Sequence, residues 1–148
     1  MAALSEDRIY FGEEGVGQER ELQLAANAVA YAGALTCNNG SGYAAPAKDD
    51  ASFTDAVGVC IHGADNSGGA DGAQRIVVRR GERALFYTLP IGDENAITQA
   101  DVGRNAYIVD DVTVAKASGT SNQVVAGEVL KVTQNVGLVR VTLKVGDA

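Results

Sequence analysis

The chain has 148 residues, of which 46% are apolar and 21% charged, and its formal net charge at pH 7 is −7. A domain of this length forms a true core, because folding buries roughly 70% of the unfolded surface, and the modest charged share argues against disorder throughout. The acidic balance disfavours nucleic acid and anionic membranes as partners, since both attract Lys and Arg.

The composition also indicates the fold class. The chain holds 18 Gly, 2 Pro and no Trp, and Ala and Val dominate its apolar residues. Short strands joined by Gly-containing turns use such residues better than long helices do. We predict an all-β fold: a compact β-sandwich or β-barrel of short antiparallel strands. Residues 24–148 are predicted to form this single β domain, and residues 1–23 an extended N-terminal arm.

The arm is acidic and rich in Gly, and its only large apolar cluster is Ile9, Tyr10 and Phe11. Such a terminus either frays or orders on a partner, and the aromatic cluster favours a partner as much as fraying. Six acidic residues lie where a secretory signal would be apolar. We therefore expect synthesis in a cytosol, with both cysteines as thiols.

Turn residues mark the strands of the β domain in chain order. Asn39 and Gly40 predict a hairpin, because both residues tolerate positive φ. Residues 56–61 are a near-continuous apolar run, typical of a strand buried on both faces. Residues 64–72 are predicted to be the most flexible loop. Three further hairpins are predicted, with strands over residues 74–80 and 83–89, 105–109 and 112–115, and 124–133 and 138–145.

The C-terminal third carries the most specific pattern. Its last run alternates apolar and polar residues strictly, which marks a half-buried strand. Its strands and turns resemble those of phage and prophage capsid cement (decoration) proteins, and residues 56–64 are similar to that family's central strand. The matching residues are Asp101, Val102, Gly103, Tyr107, Asp110, Asp111, Thr113, Val114, Ala115, Ala126, Gly127, Val139, Arg140 and Val141.

The resemblance implies a non-enzymatic structural protein of the virion. Such a protein binds the outer surface of an assembled icosahedral head and clamps neighbouring major capsid subunits. The implied partners are the major capsid protein and further copies of this chain, with a homotrimer favoured and a dimer possible. The implied location is the capsid exterior after synthesis in the host cytoplasm, and no catalytic residue, cofactor or metal ion is expected.

Two sets of residues are candidates for the contact surface. An extended arm can add a strand to a neighbouring subunit, and Arg pairs well with carboxylates at interfaces. A solvated hairpin end is the alternative for the basic set. The candidates are Leu4, Ile9, Tyr10 and Phe11 in the arm, and Arg79, Arg80 and Arg83 in the basic set.

Two other functions stay open. One is a carbohydrate- or receptor-binding β-module of a head or tail fibre, which would display exposed aromatic residues. The other is a small hydrolase using His62, the only histidine, which is predicted to share a strand face with Cys60. Zinc-site spacing is absent. Residues 65–71 lack the ligand spacing of a calcium loop, and Asp110 and Asp111 are predicted to form a turn.

Overall fold

Short strands account for most of the regular structure. In the computed structural model we describe residues 19–80, 83–90, 92–117, 120–132 and 138–142, without the side chains of Arg83 and residues 138–142. Among these residues, a single 3₁₀ turn, Gln99–Asp101, is the only helical element. The strands are β1 (Glu19–Gln23), β2 (Val29–Ala30), β3 (Leu35–Asn38), β4 (Ala44–Pro46), β5 (Ala56–His62), β6 (Ala64–Asp65), β7 (Arg75–Arg79), β8 (Arg83–Thr88), β9 (Asn105–Ile108), β10 (Thr113–Ala115), β11 (Val125–Val132) and β12 (Leu138–Thr142).

Five strands form a closed barrel in the order β8-β12-β11-β9-β10, and the last strand pairs with the first. Its pairs are antiparallel except β8–β10, which is parallel. Alternation along the strands points Phe86, Ile108 and Val114 into the ring, where each is at most 2% exposed. Burying such a side chain stabilises the fold by about 1.5–3 kcal/mol. The predicted all-β class is confirmed.

A second sheet has the antiparallel order β1-β7-β5-β3-β4. Its two edge strands meet at one end, where Leu24 forms a bridge to Ala44 and the Ala25 N–H donates to the Ala44 carbonyl at 2.9 Å. The sheet therefore curls toward a second ring without closing it. Leu24, Cys60 and Ile76 fill its interior. We call it the curled sheet.

Most local pairings follow the sequence. Asn39 and Gly40 lie in the β3–β4 connection, where Gly40 has a φ of 90°, and the pairs β9–β10 and β11–β12 also form as predicted. The predicted hairpin of residues 74–80 and 83–89 is wrong. Strand β7 pairs with β1 and β5 in the curled sheet, whereas β8 pairs with β10 and β12 in the closed barrel. Each strand already has neighbours on both sides, so neither edge is free for the other.

The segment predicted as an arm ends in regular structure. Strand β1 takes up its last five residues and pairs with β7 from Glu19 opposite Arg79 to Gln23 opposite Arg75. Residues 1–18, with the candidate contacts Leu4, Ile9, Tyr10 and Phe11, lie outside the described residues. The division into an arm and a β domain stays a prediction.

The loop predicted as the most flexible is tied to the curled sheet. Asn66 is 2% exposed, and its side-chain amide donates to the carbonyls of Ala25 and Ala70, both at 2.9 Å. A Cβ at Gly69 would collide with the Asn66 amide oxygen. The Gly-rich composition therefore serves close packing around Asn66, because a glycine lets the backbone approach where a side chain would not fit.

Backbone and side-chain hydrogen bonds join the two sheets. The Leu35 N–H of β3 donates to the Asp111 carbonyl at 2.8 Å, and the Val125 N–H of β11 donates to Asp55 Oδ1 at 3.0 Å. The Thr120 hydroxyl donates to the Asp49 carboxylate at 2.9 Å. The described part of the chain contains no helix with the length and apolar character of a membrane span.

Candidate functional site

The outer face of β1 and β7 carries opposite charges in register. Arg79 Nη2 lies 2.7 Å from Glu19 Oε1, directly across the pair, and Arg75 Nη1 lies 2.8 Å from Glu21 Oε1. Both pairs are partly exposed, so each contributes at most about 1 kcal/mol. Arg79, a predicted contact residue, is thus engaged within the chain by a carboxylate of β1.

Arg80 follows the last residue of β7 and lies on the opposite face. Together with Arg20 of β1 it lines a cavity of about 220 Å³ in the curled sheet. Alternation explains the meeting: Arg20 pairs with Val78, and Arg80 is two residues beyond Val78 on the same face. The other lining residues are mainly apolar and include Leu22, Ala44, Val57 and Val78. We call this space the arginine cavity.

The arginine cavity combines two cationic side chains with a mainly apolar lining in a chain of net charge −7. Its described lining residues include two arginines and no carboxylate, and neither arginine forms an ion pair with another described residue. Arg80 Nε is buried and has no hydrogen-bond partner among the described residues. A buried donor without a partner costs about 1–3 kcal/mol. The arrangement offers two guanidinium groups to an oxyanion.

The predicted basic set therefore does not form one patch. Arg79 faces outward toward Glu19, and Arg80 faces the arginine cavity with Arg20. The side chain of Arg83 lies outside the described residues. Sequence reasoning missed Arg20, although its position on the inward face of an edge strand follows from the alternation of Arg20 and Leu22 once the β1–β7 register is known.

Large apolar side chains are exposed on the closed barrel. Leu85 and Tyr87 of β8 are 51% and 58% exposed, while Phe86 between them is buried. Val112 is 42% exposed and lies beside them, since its carbonyl accepts the Tyr87 N–H at 2.9 Å. We call Leu85, Tyr87 and Val112 the β8 strip. The alternation of Leu85 and Tyr87 is visible in the sequence, but Phe86 is as apolar as they are, so the sequence does not say which face is outside.

A further aromatic residue is exposed on the small β2–β6 sheet. Tyr31 is 71% exposed and borders a shallow depression that Val29, Gly63 and Asp65 also line. Hydrogen bonds from the Ser67 hydroxyl and from the Ser67 N–H, the latter at 2.8 Å, lower the pKa of Asp65. The depression therefore combines a flat aromatic face with a carboxylate that is ionised at neutral pH.

His62 and the cysteines do not converge. The prediction that Cys60 and His62 share a strand face is wrong, because a β-bulge between them leaves Cys60 1% exposed and His62 at the surface. Both cysteines are free. Burial, with the Asp55 carboxylate adding to it, raises the pKa of Cys37 to about 12, and burial also raises the pKa of Cys60. Both thiols are therefore protonated and weakly nucleophilic at neutral pH.

The acidic turns hold backbone groups. Asp110 Oδ1 accepts the Val112 N–H at 2.9 Å, as predicted for a turn former, and Asp71 Oδ1 accepts the Ala26 N–H at 2.8 Å. Burial, and the charge of Asp110, raise the pKa of Asp111. Within the described ranges, no three His, Cys, Asp or Glu side chains are grouped so that they could hold a metal ion.

Comparisons of the chain with protein-family models, with curated proteins and with solved structures give no match. Any function is therefore inferred from the residues of the chain and their geometry. Three features of the described residues are candidates: the β8 strip on the closed barrel, the arginine cavity of the curled sheet, and the depression beside Tyr31.

Proposed function

We propose that the chain is a structural, non-enzymatic virion protein that binds the outer surface of an icosahedral phage head. There it would stabilise contacts between major capsid subunits. The resemblance of residues 101–141 to capsid cement proteins gives the class of function. The observation that carries the proposal is the β8 strip, an exposed apolar surface on the most completely paired part of the protein.

The β8 strip has the character of a protein contact. Tyr is enriched in the energetically dominant centres of interfaces, and Leu85 and Val112 add apolar area beside Tyr87. Every strand of the barrel is paired on both sides, so a partner meets side chains and not a free backbone edge. A rigid surface also loses little conformational entropy on binding, which leaves more of the contact energy for affinity.

The predicted arm supplies a second contact in this proposal. Strand β1 is an edge strand of the curled sheet, and residues 1–18 continue from its N-terminal end. An extended segment that leaves an edge strand can pair with a strand of a neighbouring subunit. The capsid or a second copy of the chain would then cover Leu4 and the cluster from Ile9 to Phe11. If copies of the chain associate, we expect a trimer in preference to a dimer.

Many copies on one head would reinforce the lattice. A protein that binds the assembled lattice but not free subunits stabilises assembly by mass action. Weak sites on linked subunits act together, because after the first contact the next ones form at high effective concentration. The location in this proposal is the capsid exterior. The acidic net charge of the chain suits a partner other than nucleic acid or an anionic membrane.

Binding to empty heads tests the proposal. Heads assembled without this protein are sedimented with the wild-type chain, with the double variant Leu85→Ser and Tyr87→Ser, and with Tyr31→Ser as a control. Tyr31 is more exposed than Tyr87 but lies outside the β8 strip. We expect the wild type and the control to sediment with heads, and the double variant to bind at least about tenfold more weakly, a loss of about 1.4 kcal/mol. Equal binding of the double variant would reject the strip as the contact.

The depression beside Tyr31 favours a second candidate, a carbohydrate- or receptor-binding module. An exposed Tyr offers an apolar face and a hydroxyl, and the Asp65 carboxylate accepts hydrogen bonds from hydroxyl groups. A glycan array probed with the wild type and with Tyr31→Ala distinguishes the two functions. Hits that disappear in the variant would support this candidate, and an array without hits would reject it.

A further inference from the structure

We propose that the arginine cavity binds a small monocarboxylate whose body is apolar, with Arg20 and Arg80 holding the carboxylate. This inference is independent of head binding, because it concerns the interior of the curled sheet. It rests on the juxtaposition of two arginines, at a rim without carboxylates, with an apolar wall.

The polar end of the site is built from adjacent strands. Arg20 of β1 and Arg80 after β7 approach the same rim because the antiparallel register sets Arg20 opposite Val78. Arg80 Nε is buried and unbonded among the described residues, and buried polar groups in folded proteins nearly always have a partner. A carboxylate accepts two parallel N–H bonds from one guanidinium, so the Arg20 and Arg80 side chains that line the cavity suit this group.

The apolar lining of the site favours a carboxylate with a hydrocarbon group over inorganic phosphate or sulfate. Leu22, Val57 and Val78 line the same cavity as the arginines. Inorganic phosphate or sulfate can pair with the arginines, but against the apolar wall it would lose water without a compensating contact there. A carboxylate attached to a hydrocarbon body satisfies both ends, because the charge meets the arginines and the body meets the apolar wall.

The volume of the arginine cavity limits the size of the apolar part of the ligand. A benzene ring occupies an apolar protein cavity of about 150 Å³, and a water molecule accounts for about 30 Å³ of liquid. The arginine cavity, at about 220 Å³, leaves about 70 Å³ beyond a ring, roughly two waters. One aromatic ring or a short alkyl chain with one carboxylate therefore fits, which makes benzoate a suitable probe.

Titration of the isotope-labelled full-length protein with benzoate tests the proposal, with amide chemical shifts as the readout. We expect saturable shifts at Leu22, Val57 and Val78 below about 10 mM, the range for a ligand of this size. Benzamide has the same shape without the charge, and we expect it to bind at least about tenfold more weakly because its contact with the guanidinium groups is not charge-assisted. Inorganic phosphate should leave the three amides unshifted.

Substitutions locate the site. Arg20→Met and Arg80→Met should each weaken benzoate binding about tenfold or more, while Arg104→Met, at an exposed position of the closed barrel, should leave it unchanged. The same spectra show whether each variant is folded. Because Arg20 is exposed, its substitution should leave the fold intact, so the Arg20 variant tests the site even if the Arg80 variant unfolds. Absence of saturable shifts, equal binding of benzamide or phosphate, or unchanged affinity in the folded Arg20 variant would each overturn the proposal. None of these results bears on head binding.

Discussion

The closed barrel and the curled sheet contain five strands each but differ in how the ring ends. In the barrel, β8 pairs with β10 and every strand has two neighbours. In the curled sheet, the edges meet through the bridge between Leu24 and Ala44 and the hydrogen bond from the Ala25 N–H to the Ala44 carbonyl. The interior of the closed ring belongs to an apolar core that also includes Leu35 and Val59 of the curled sheet, whereas the incomplete ring has a cavity lined by two arginines. The exposed β8 strip therefore lies on the closed ring, and the arginine cavity lies in the incomplete one.

The largest expected effect is the loss of head binding when part of the segment before β1 is removed. Deletion of residues 1–14 should abolish binding to heads, because it removes Leu4 and the Ile9 to Phe11 cluster from the proposed contact. The fold should remain, since β1 begins at Glu19. Co-sedimentation measures binding and urea unfolding measures stability. A matched variant without residues 1–3 should bind normally, and undiminished binding by the longer deletion would refute a role for the arm.

The next effect is a difference in stability between substitutions on the inner and the outer face of β8. Phe86→Ala should lower the free energy of unfolding by about 3–5 kcal/mol, because it leaves a cavity inside the closed ring. Tyr87→Ala, the neighbouring position on the outer face, should change it by no more than about 1 kcal/mol. Urea unfolding followed by circular dichroism measures both. Similar losses for the two variants would show that the barrel interior is not where we place it.

A smaller loss is expected in the curled sheet. Asn66→Ala removes the donor to the Ala25 and Ala70 carbonyls, so the free energy of unfolding should fall by about 1–3 kcal/mol. Gln74→Ala, at the exposed position just before β7, should stay within about 0.5 kcal/mol of the wild type. If the two variants were equally stable, residues 64–72 would be a loose loop, as the composition alone predicts.

The smallest effect lies at the junction of the two sheets and depends on pH. The pKa of Asp111 is raised in the folded protein, so the unfolded chain ionises first as pH rises, and stability falls as pH passes through the folded pKa. Asp111→Asn should therefore be more stable at pH 7 by a few tenths of a kcal/mol, because solvent screening limits the gain. The gain should vanish below pH 3.8, the ordinary pKa of an Asp carboxyl. A gain that persists at low pH would point to a cause other than charge.

Local signals in the sequence predict much of this fold. Asn39 with Gly40, and Asp110 with Asp111, form their turns because backbone conformation and side-chain capping act within a few residues. Partner choice between distant strands is not local. The chain passes from β7 in one sheet to β8 in the other, and alternation within each strand is the same whichever neighbour it pairs with.

The candidate sites were less predictable for the same reason. Arg20 and Arg80 lie 60 positions apart, and only the β1–β7 register brings them to one rim. The bulge after Cys60 turns His62 outward, and one extra residue in a strand reverses every later side chain. Such shifts depend on pairing with β7, which the sequence of β5 alone does not reveal.

The most direct test of the proposed function is the mass of the purified full-length protein in solution, alone and with empty heads, by analytical ultracentrifugation. We expect a small oligomer alone, a trimer by preference, and saturable transfer of the protein to the sedimentation boundary of the heads. The Leu85→Ser and Tyr87→Ser variant should need at least about tenfold more heads for the same transfer. A wild-type protein that never moves with heads, at any head concentration, would contradict the proposal that this β domain reinforces a capsid.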